Sequence, residues 1–259
     1  MKSGVPATLP PLTKRMLGWE IVVVFAVSLG ANSLFALINL IGSLTAPKAL
    51  RQQQALLVGS LAPGRPLLDL TLQLASIVTT LAPVALVFYL LAREGEGPSA
   101  LGIDTTRPAS DVLRGAVLAA VIGGTGLALY VAAFHLGISL NVVPEDLPSV
   151  WWRIPVLALD AAQNGILEEV LVLGYLLRRL DQLGWSPGKA IALAAVVRGS
   201  YHLYQGFGGF LGNAILGVIF GVLYRRWGRV TPMIIAHTLI DAGAFIGYVA
   251  LHGHVSWLP

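Results

Sequence analysis

Apolar residues fall in long blocks along this chain, not in strict alternation. Seven stretches, 17–44, 67–91, 112–137, 154–177, 188–204, 207–224 and 231–251, are apolar over lengths near the roughly 20 residues that cross a bilayer as a helix. Short connectors rich in Pro and Gly separate them, among them Pro63-Gly64-Arg65-Pro66, Gly95-Glu96-Gly97-Pro98 and Gly184-Trp185-Ser186-Pro187. The pattern predicts an all-α polytopic membrane bundle of about seven transmembrane helices, with a range of about six to eight. Met1 to Arg15 is polar and contains proline, and the apolar run after it is too long for a signal-peptide core, so it reads as a retained first span. No repeat of fixed period and no low-complexity segment interrupts the pattern. The chain therefore reads as a single membrane domain, 1–259.

Composition sharpens that reading. Of 259 residues, 56% are hydrophobic and 12% charged, against about 25% charged in an ordinary soluble domain. Mean hydropathy is +0.76. These values exclude a disordered tail and a basic nucleic-acid-binding domain. The net charge of +4 instead fits the excess of Lys and Arg in cytoplasmic loops. An N-terminus in the cytoplasm puts Lys2, Lys14, Arg15, Arg93, Arg107, Arg114, Arg178, Arg179, Lys189, Arg225, Arg226 and Arg229 inside. It leaves only Lys48, Arg51, Arg65 and Arg153 outside, with Arg198 in a span. Segment 45–66 carries three of those outer charges and has room for a short interfacial helix. The chain has no cysteine, which removes disulfides, thiolate metal sites and a Cys nucleophile. The Ala/Gly/Arg-rich wording suggests a bacterial plasma membrane.

Charge inside a bilayer costs about 2.5–3.5 kcal/mol per residue on insertion scales, so each such residue asks for a reason. Asp160, Glu168, Glu169, Arg198, His202, His237 and Asp241 all fall within the fourth, fifth and seventh apolar stretches. The second and third hold only Asp69, Arg114 and His135, near their ends. Asp160, Asn164 and Glu168 are spaced i, i+4, i+8. Arg198 and His202 are spaced i, i+4, as are His237 and Asp241. Residues so spaced share a helix face, so three polar faces are expected to meet in one cavity. Single residues of this kind can be packing glue, with Arg198 a counter-ion or Asp241 a partner of His237. An adjacent Glu pair together with two His-bearing helices is harder to explain that way.

Two carboxylates and two imidazoles in a low-dielectric, wet cavity suit general acid–base hydrolysis. A Glu can deprotonate water, and a second His-bearing helix can hydrogen-bond an oxyanion. Ser200 and His202 are not expected to form a dyad, since positions this close along a helix diverge. No H-E-x-x-H zinc motif is present. A metal held by His202, His237, Asp241 and a Glu stays open by residue type, below the metal-free reading.

Three short motifs in order carry a resemblance: Glu168-Glu169-Val170-Leu171-Val172-Leu173, then Arg198-Gly199-Ser200-Tyr201-His202, then His237-Thr238-Leu239-Ile240-Asp241. The set resembles the E-E-x-x-x-R, F-x-x-x-H and H-x-x-x-N/D motifs of the intramembrane glutamic proteases related to CAAX prenyl endopeptidases. That family is also called the CAAX protease and bacteriocin-processing family. The resemblance covers roughly 150–251. It implies catalytic helices in 151–251 and accessory helices in 1–150. It implies an endopeptidase of peptides or membrane proteins in the bilayer, without a cofactor. The roles implied are water activation by Glu168 with help from His202, oxyanion stabilisation by His237 and Asp241, and support from Glu169.

The chain departs from the motifs at Leu173, where the family has Arg, and at Arg198, where it has Phe. The expectation is that Arg198 replaces the lost charge by pairing with Glu169, leaving Glu168 as base. A silent scaffold or immunity-type protein is the first alternative and a small transporter the second. One geometric demand follows. Counted from the inner loops at about 1.5 Å per residue, His202 lies deeper than Glu168 or His237. The fifth span must therefore tilt, start late, or break near Gly206-Phe207-Gly208-Gly209. Gly208-x-x-x-Gly212 and Gly217-x-x-x-Gly221 allow close helix packing. Tyr201, Tyr204 and Trp227 are expected to include interfacial anchors.

Overall fold

The computed structural model describes residues 12–251; Lys2 and most of the polar lead lie outside them. Helices dominate. α1 (Lys14–Ala26) begins at Thr13, whose hydroxyl accepts from the Met16 amide. α1 and α2 (Leu29–Thr45) form a pair bent by 54°. At the break the Ser28 hydroxyl donates to the Val24 carbonyl. α3 (Pro66–Thr80) and α4 (Ala82–Arg93) run almost end to end, and α5 (Pro108–His135) is the longest helix. α6 (Arg153–Glu168) passes without interruption into a π-helical segment (Glu169–Leu176) and then α7 (Leu177–Gln182). α8 (Pro187–Ser200), α9 (Phe207–Trp227) and α10 (Thr231–Leu251) complete the bundle. Proline opens α3, α5 and α8, where its missing N–H has no helical partner to lose.

All seven apolar stretches contain helix. Four segments are long and apolar enough to cross a membrane: Pro66–Arg93, Pro108–His135, Phe207–Trp227 and Thr231–Leu251. The bent α1–α2 pair brings the number to five. The expected seven is thus supported only as far as a multi-pass membrane protein with four or five such spans. α8 falls short because it has 14 residues, about 21 Å of helix against a hydrocarbon core of about 30 Å.

The fold is also not purely helical. Segment 45–66 holds a single 3-10 turn and a strand, β1 (Gln54–Gly59), in place of an interfacial helix. β1 pairs in parallel with β2 (Asn141–Asp146), from Gln54 opposite Asn141 to Gly59 opposite Asp146. The Arg153 guanidinium is paired with the buried Glu145 beside them.

The principal core forms around the π-helical segment. Val170, Leu171, Val172, Leu173 and Tyr175 pack with Val87, Leu91, Leu101, Ala190, Ala194, Phe220 and Met233. A smaller core joins Val58, Trp152, Val156, Leu157 and Phe245 near the strands. The outer surface is apolar: Leu34, Phe35 and Ile38 of α2 and Leu113, Val117 and Val121 of α5 are exposed. That is the surface a bilayer covers. At the turn before α10, Arg229 donates to Asp104 and Asp111 together. Its hydrogen bonds, with those of Thr106, hold the Asp104 carboxyl well below the usual carboxylate range.

Candidate active site

α6 and α10 approach closely because Gly165 faces α10. A Cβ there would lie 2.7 Å from Thr238 Oγ1 and 3.0 Å from the Ile234 carbonyl oxygen. One helical turn after Gly165, Glu168 and Glu169 enter the space between α6, α8 and α10. The wide π-helical turn starts at this pair, and such turns recur at functional positions.

The two carboxylates have different surroundings. Glu169 has no exposed surface. Its Oε1 accepts from Arg198 Nη1 and His237 Nδ1, each at 2.7 Å. Its Oε2 has no hydrogen-bond partner among the described residues. A carboxylate only accepts, so His237 carries a proton on Nδ1. Arg198 Nη2 also lies 3.1 Å from that nitrogen, and the Arg198 guanidinium stands 5.5 Å over the Phe220 ring.

Glu168 accepts at Oε2 from the Tyr201 hydroxyl at 2.8 Å, and Arg198 Nη2 stands 3.5 Å from the same oxygen. Its other oxygen, Oε1, lies 4.0 Å from His202 Nε2. His202 Nδ1 is 3.0 Å from the Arg198 carbonyl oxygen. That oxygen can only accept, so Nδ1 donates and the neutral ring presents a lone pair from Nε2 toward Glu168.

α10 supplies the facing wall. His237 Nε2 is 3.5 Å from Asp241 Oδ2, and Asn164 Nδ2 donates to that oxygen at 3.3 Å. Glu168, Glu169, Arg198, His202, His237, Asp241 and Asn164 are thus joined in one chain of contacts. Asp160, two turns back along α6, is half-buried. Leu173 is enclosed by apolar core residues. Among the described residues, no three of His, Cys, Asp and Glu are arranged to hold a metal ion.

The depth problem is resolved by a break slightly earlier than Gly206. α8 stops at Ser200, His202 lies in the following turn, a 3-10 turn spans Leu203–Gln205, and α9 starts at Phe207. So Arg198 and His202 are not two positions on one continuous helix face. Gly206 adopts φ +96°, with an added Cβ lying 2.8 Å from the Ile138 carbonyl oxygen. There the turn pairs with Ser139 in an antiparallel bridge. Tyr201, one of three aromatic residues expected to include interfacial anchors, is 5% exposed and bonded to Glu168. Its place beside His202 was the available signal, but a tyrosine near a glycine-rich break reads equally well as an anchor.

No curated protein and no solved structure matches the chain. Residues 149–243 match the family model described as Type II CAAX prenyl endopeptidase Rce1-like. That segment, 95 of the 259 residues, runs from just before α6 into α10, and over it the chain is similar to the CAAX prenyl endopeptidases.

Proposed function

We propose that the protein is an intramembrane endopeptidase that hydrolyses a peptide bond in or beside the bilayer with a water activated by Glu168, and that it needs no metal to do so. The observation that carries this reading is the 4.0 Å gap between Glu168 Oε1 and His202 Nε2. Two acceptors at that separation can both be reached by one water at ordinary hydrogen-bond length, about 2.8 Å. The water then gives one hydrogen to each acceptor and keeps its lone pairs for attack.

The reaction balances on these groups. Glu168 takes a proton as the water oxygen bonds to the carbonyl carbon. The carbonyl oxygen becomes an oxyanion and accepts from Nε2–H of a doubly protonated His237, whose Nδ1–H stays on Glu169, with Asp241 beside that nitrogen. When the C–N bond breaks, Glu168 returns its proton to the leaving amine. Glu169 and Arg198 hold His237 from behind, so Glu169 supports the reaction without touching the substrate. No covalent intermediate forms. In this reading 151–251 is the catalytic unit, and the helices of 1–150 are accessory.

The test is a mass-spectrometric comparison of peptide termini in membranes carrying the wild type or Glu168→Gln at matched expression. The variant keeps shape and removes the base. New termini confined to the wild type are expected, and their sequences name the substrate class. Identical termini from two folded proteins would overturn the enzyme reading in favour of a silent scaffold.

A further inference from the structure

We infer that Tyr201 is a positioning residue that decides which oxygen of Glu168 serves as the base; the inference rests on the hydrolytic reading above. A glutamate carboxylate has two equivalent oxygens and a broad terminal torsion, so nothing in the residue itself selects one of them. Here the two are made unequal. Oε2 receives the Tyr201 hydroxyl at 2.8 Å, while Oε1 is left facing His202 Nε2. The tyrosine ring lies against the imidazole with centroids 4.7 Å apart, so one side chain sets the position of both groups that would hold the water.

Arg198 makes this assignment necessary in this particular sequence. The family motif has Phe where Arg198 stands, so here a guanidinium sits next to the base. A bidentate guanidinium–carboxylate pair is the favoured geometry for these two groups and would occupy both Glu168 oxygens. The pair does not form: Arg198 Nη1 is committed to Glu169 at 2.7 Å, and Nη2 stops 3.5 Å from Glu168 Oε2. The Tyr201 hydroxyl holds Oε2 at 2.8 Å, inside the 3.5 Å at which Nη2 stands. Tyr201 thereby keeps an uncharged donor on Oε2 and leaves Oε1 free for water.

The residue can do this because its backbone is fixed from outside the family-matched segment. Ser200 Oγ donates to the Val197 carbonyl at 2.7 Å and lies 2.8 Å from Ser33 Oγ of α2. Five residues after Ser200, the Gln205 carbonyl accepts from the Leu140 amide at 3.0 Å. Both ends of the turn that carries Tyr201 and His202 are therefore pinned, one by α2 and one by the segment before β2.

The test compares the wild type, Tyr201→Phe, Glu168→Gln and a protein with 4-aminophenylalanine at 201, which restores a ring donor. The substrate is an internally quenched peptide carrying a cleavage site mapped in the terminus comparison. Tyr201→Phe is expected to lower kcat by about 10²-fold, the scale of a misplaced reacting group, with KM unchanged. The 4-aminophenylalanine protein should recover most of that loss. A spectroscopic readout needs no substrate: the infrared carboxyl band that disappears in Glu168→Gln should shift in Tyr201→Phe.

An unchanged kcat in Tyr201→Phe, an unmoved band, or a loss that the amino analogue does not repair would overturn the inference and leave Glu168 its role. Full activity in Glu168→Gln would overturn the hydrolytic reading itself, and the inference with it.

Discussion

Arg198 brings a full charge to a place with no exposed surface, and Glu169 meets it at 2.7 Å, itself fully buried. Removing one partner of such a pair leaves the other charged and unsolvated, which costs about 3–5 kcal/mol, whereas removing both together costs far less. Arg198→Met is therefore expected to lower the unfolding temperature in detergent sharply, and Glu169→Gln added to it should restore most of the loss. Simple addition of the two single losses would show that the pair does not carry the strain. The presence of these residues was legible in the sequence, because an ionisable side chain in an apolar run is conspicuous through its cost. Their division of labour was only partly legible. The Glu169–Arg198 contact was expected from the exchanged positions Leu173 and Arg198, but the partners of single atoms were not. Spacing along a helix gives faces, and whether Glu168 meets Tyr201 depends on where α8 stops. Around that stop the chain meets residues far away in the sequence, Ser200 touching Ser33 and Gly206 pairing with Ser139.

The elements show where a pattern of apolar positions runs out of information. Helices announced themselves because their apolar blocks are long and bounded by Pro and Gly. The π-helical turn at Glu169–Leu176 did not, since an apolar run looks the same whether each turn closes on the fourth or the fifth residue. β1 and β2 were missed for a similar reason. Each has only six residues, neither alternates strictly, and their pairing joins segments more than eighty positions apart. Gly165 also passed unnoticed among the 29 glycines, yet its missing side chain lets α6 lie against α10. In Gly165→Val the new side chain would meet Thr238 and the Ile234 carbonyl, both backbone-anchored. Overpacking of this kind costs about 1–3 kcal/mol. The variant is expected to lose thermal stability and also peptide-terminus formation, because widening the α6–α10 gap pulls Glu169 from His237. Full activity at an unchanged melting temperature would mean that the contact is not tight in the membrane.

The whole molecule has two chemically distinct ends. At one end ion pairs knit the loops together: Arg179 with Glu20 and Glu94, Arg178 with Glu96, Arg225 with Asp181, and Arg229 with Asp104 and Asp111. These contacts require residues 20, 94–96, 104–111, 178–181 and 225–229 to share one end. The other end gathers the β1–β2 pair, the Arg153–Glu145 pair and the Ser139–Gly206 bridge. The basic loops assigned to the cytoplasm by charge counting are those of the ion-paired end, so charge bias and folding contacts divide the chain in the same way. Which side of a membrane each end faces is a separate matter that depends on insertion. It is directly accessible here because the chain has no cysteine to interfere. Ser99 and Ser149 are both exposed and lie at opposite ends. Ser149→Cys is expected to react with a membrane-impermeant thiol reagent on intact cells, and Ser99→Cys only after the membrane is opened. The reverse pattern would place the ion-paired end outside and set the charge bias against the insertion it is supposed to direct. Reaction of both cysteines on intact cells would mean that α5, whose 28 residues separate the two ends, does not span the bilayer, and the buried carboxylates would then need a different source of their low-dielectric surroundings.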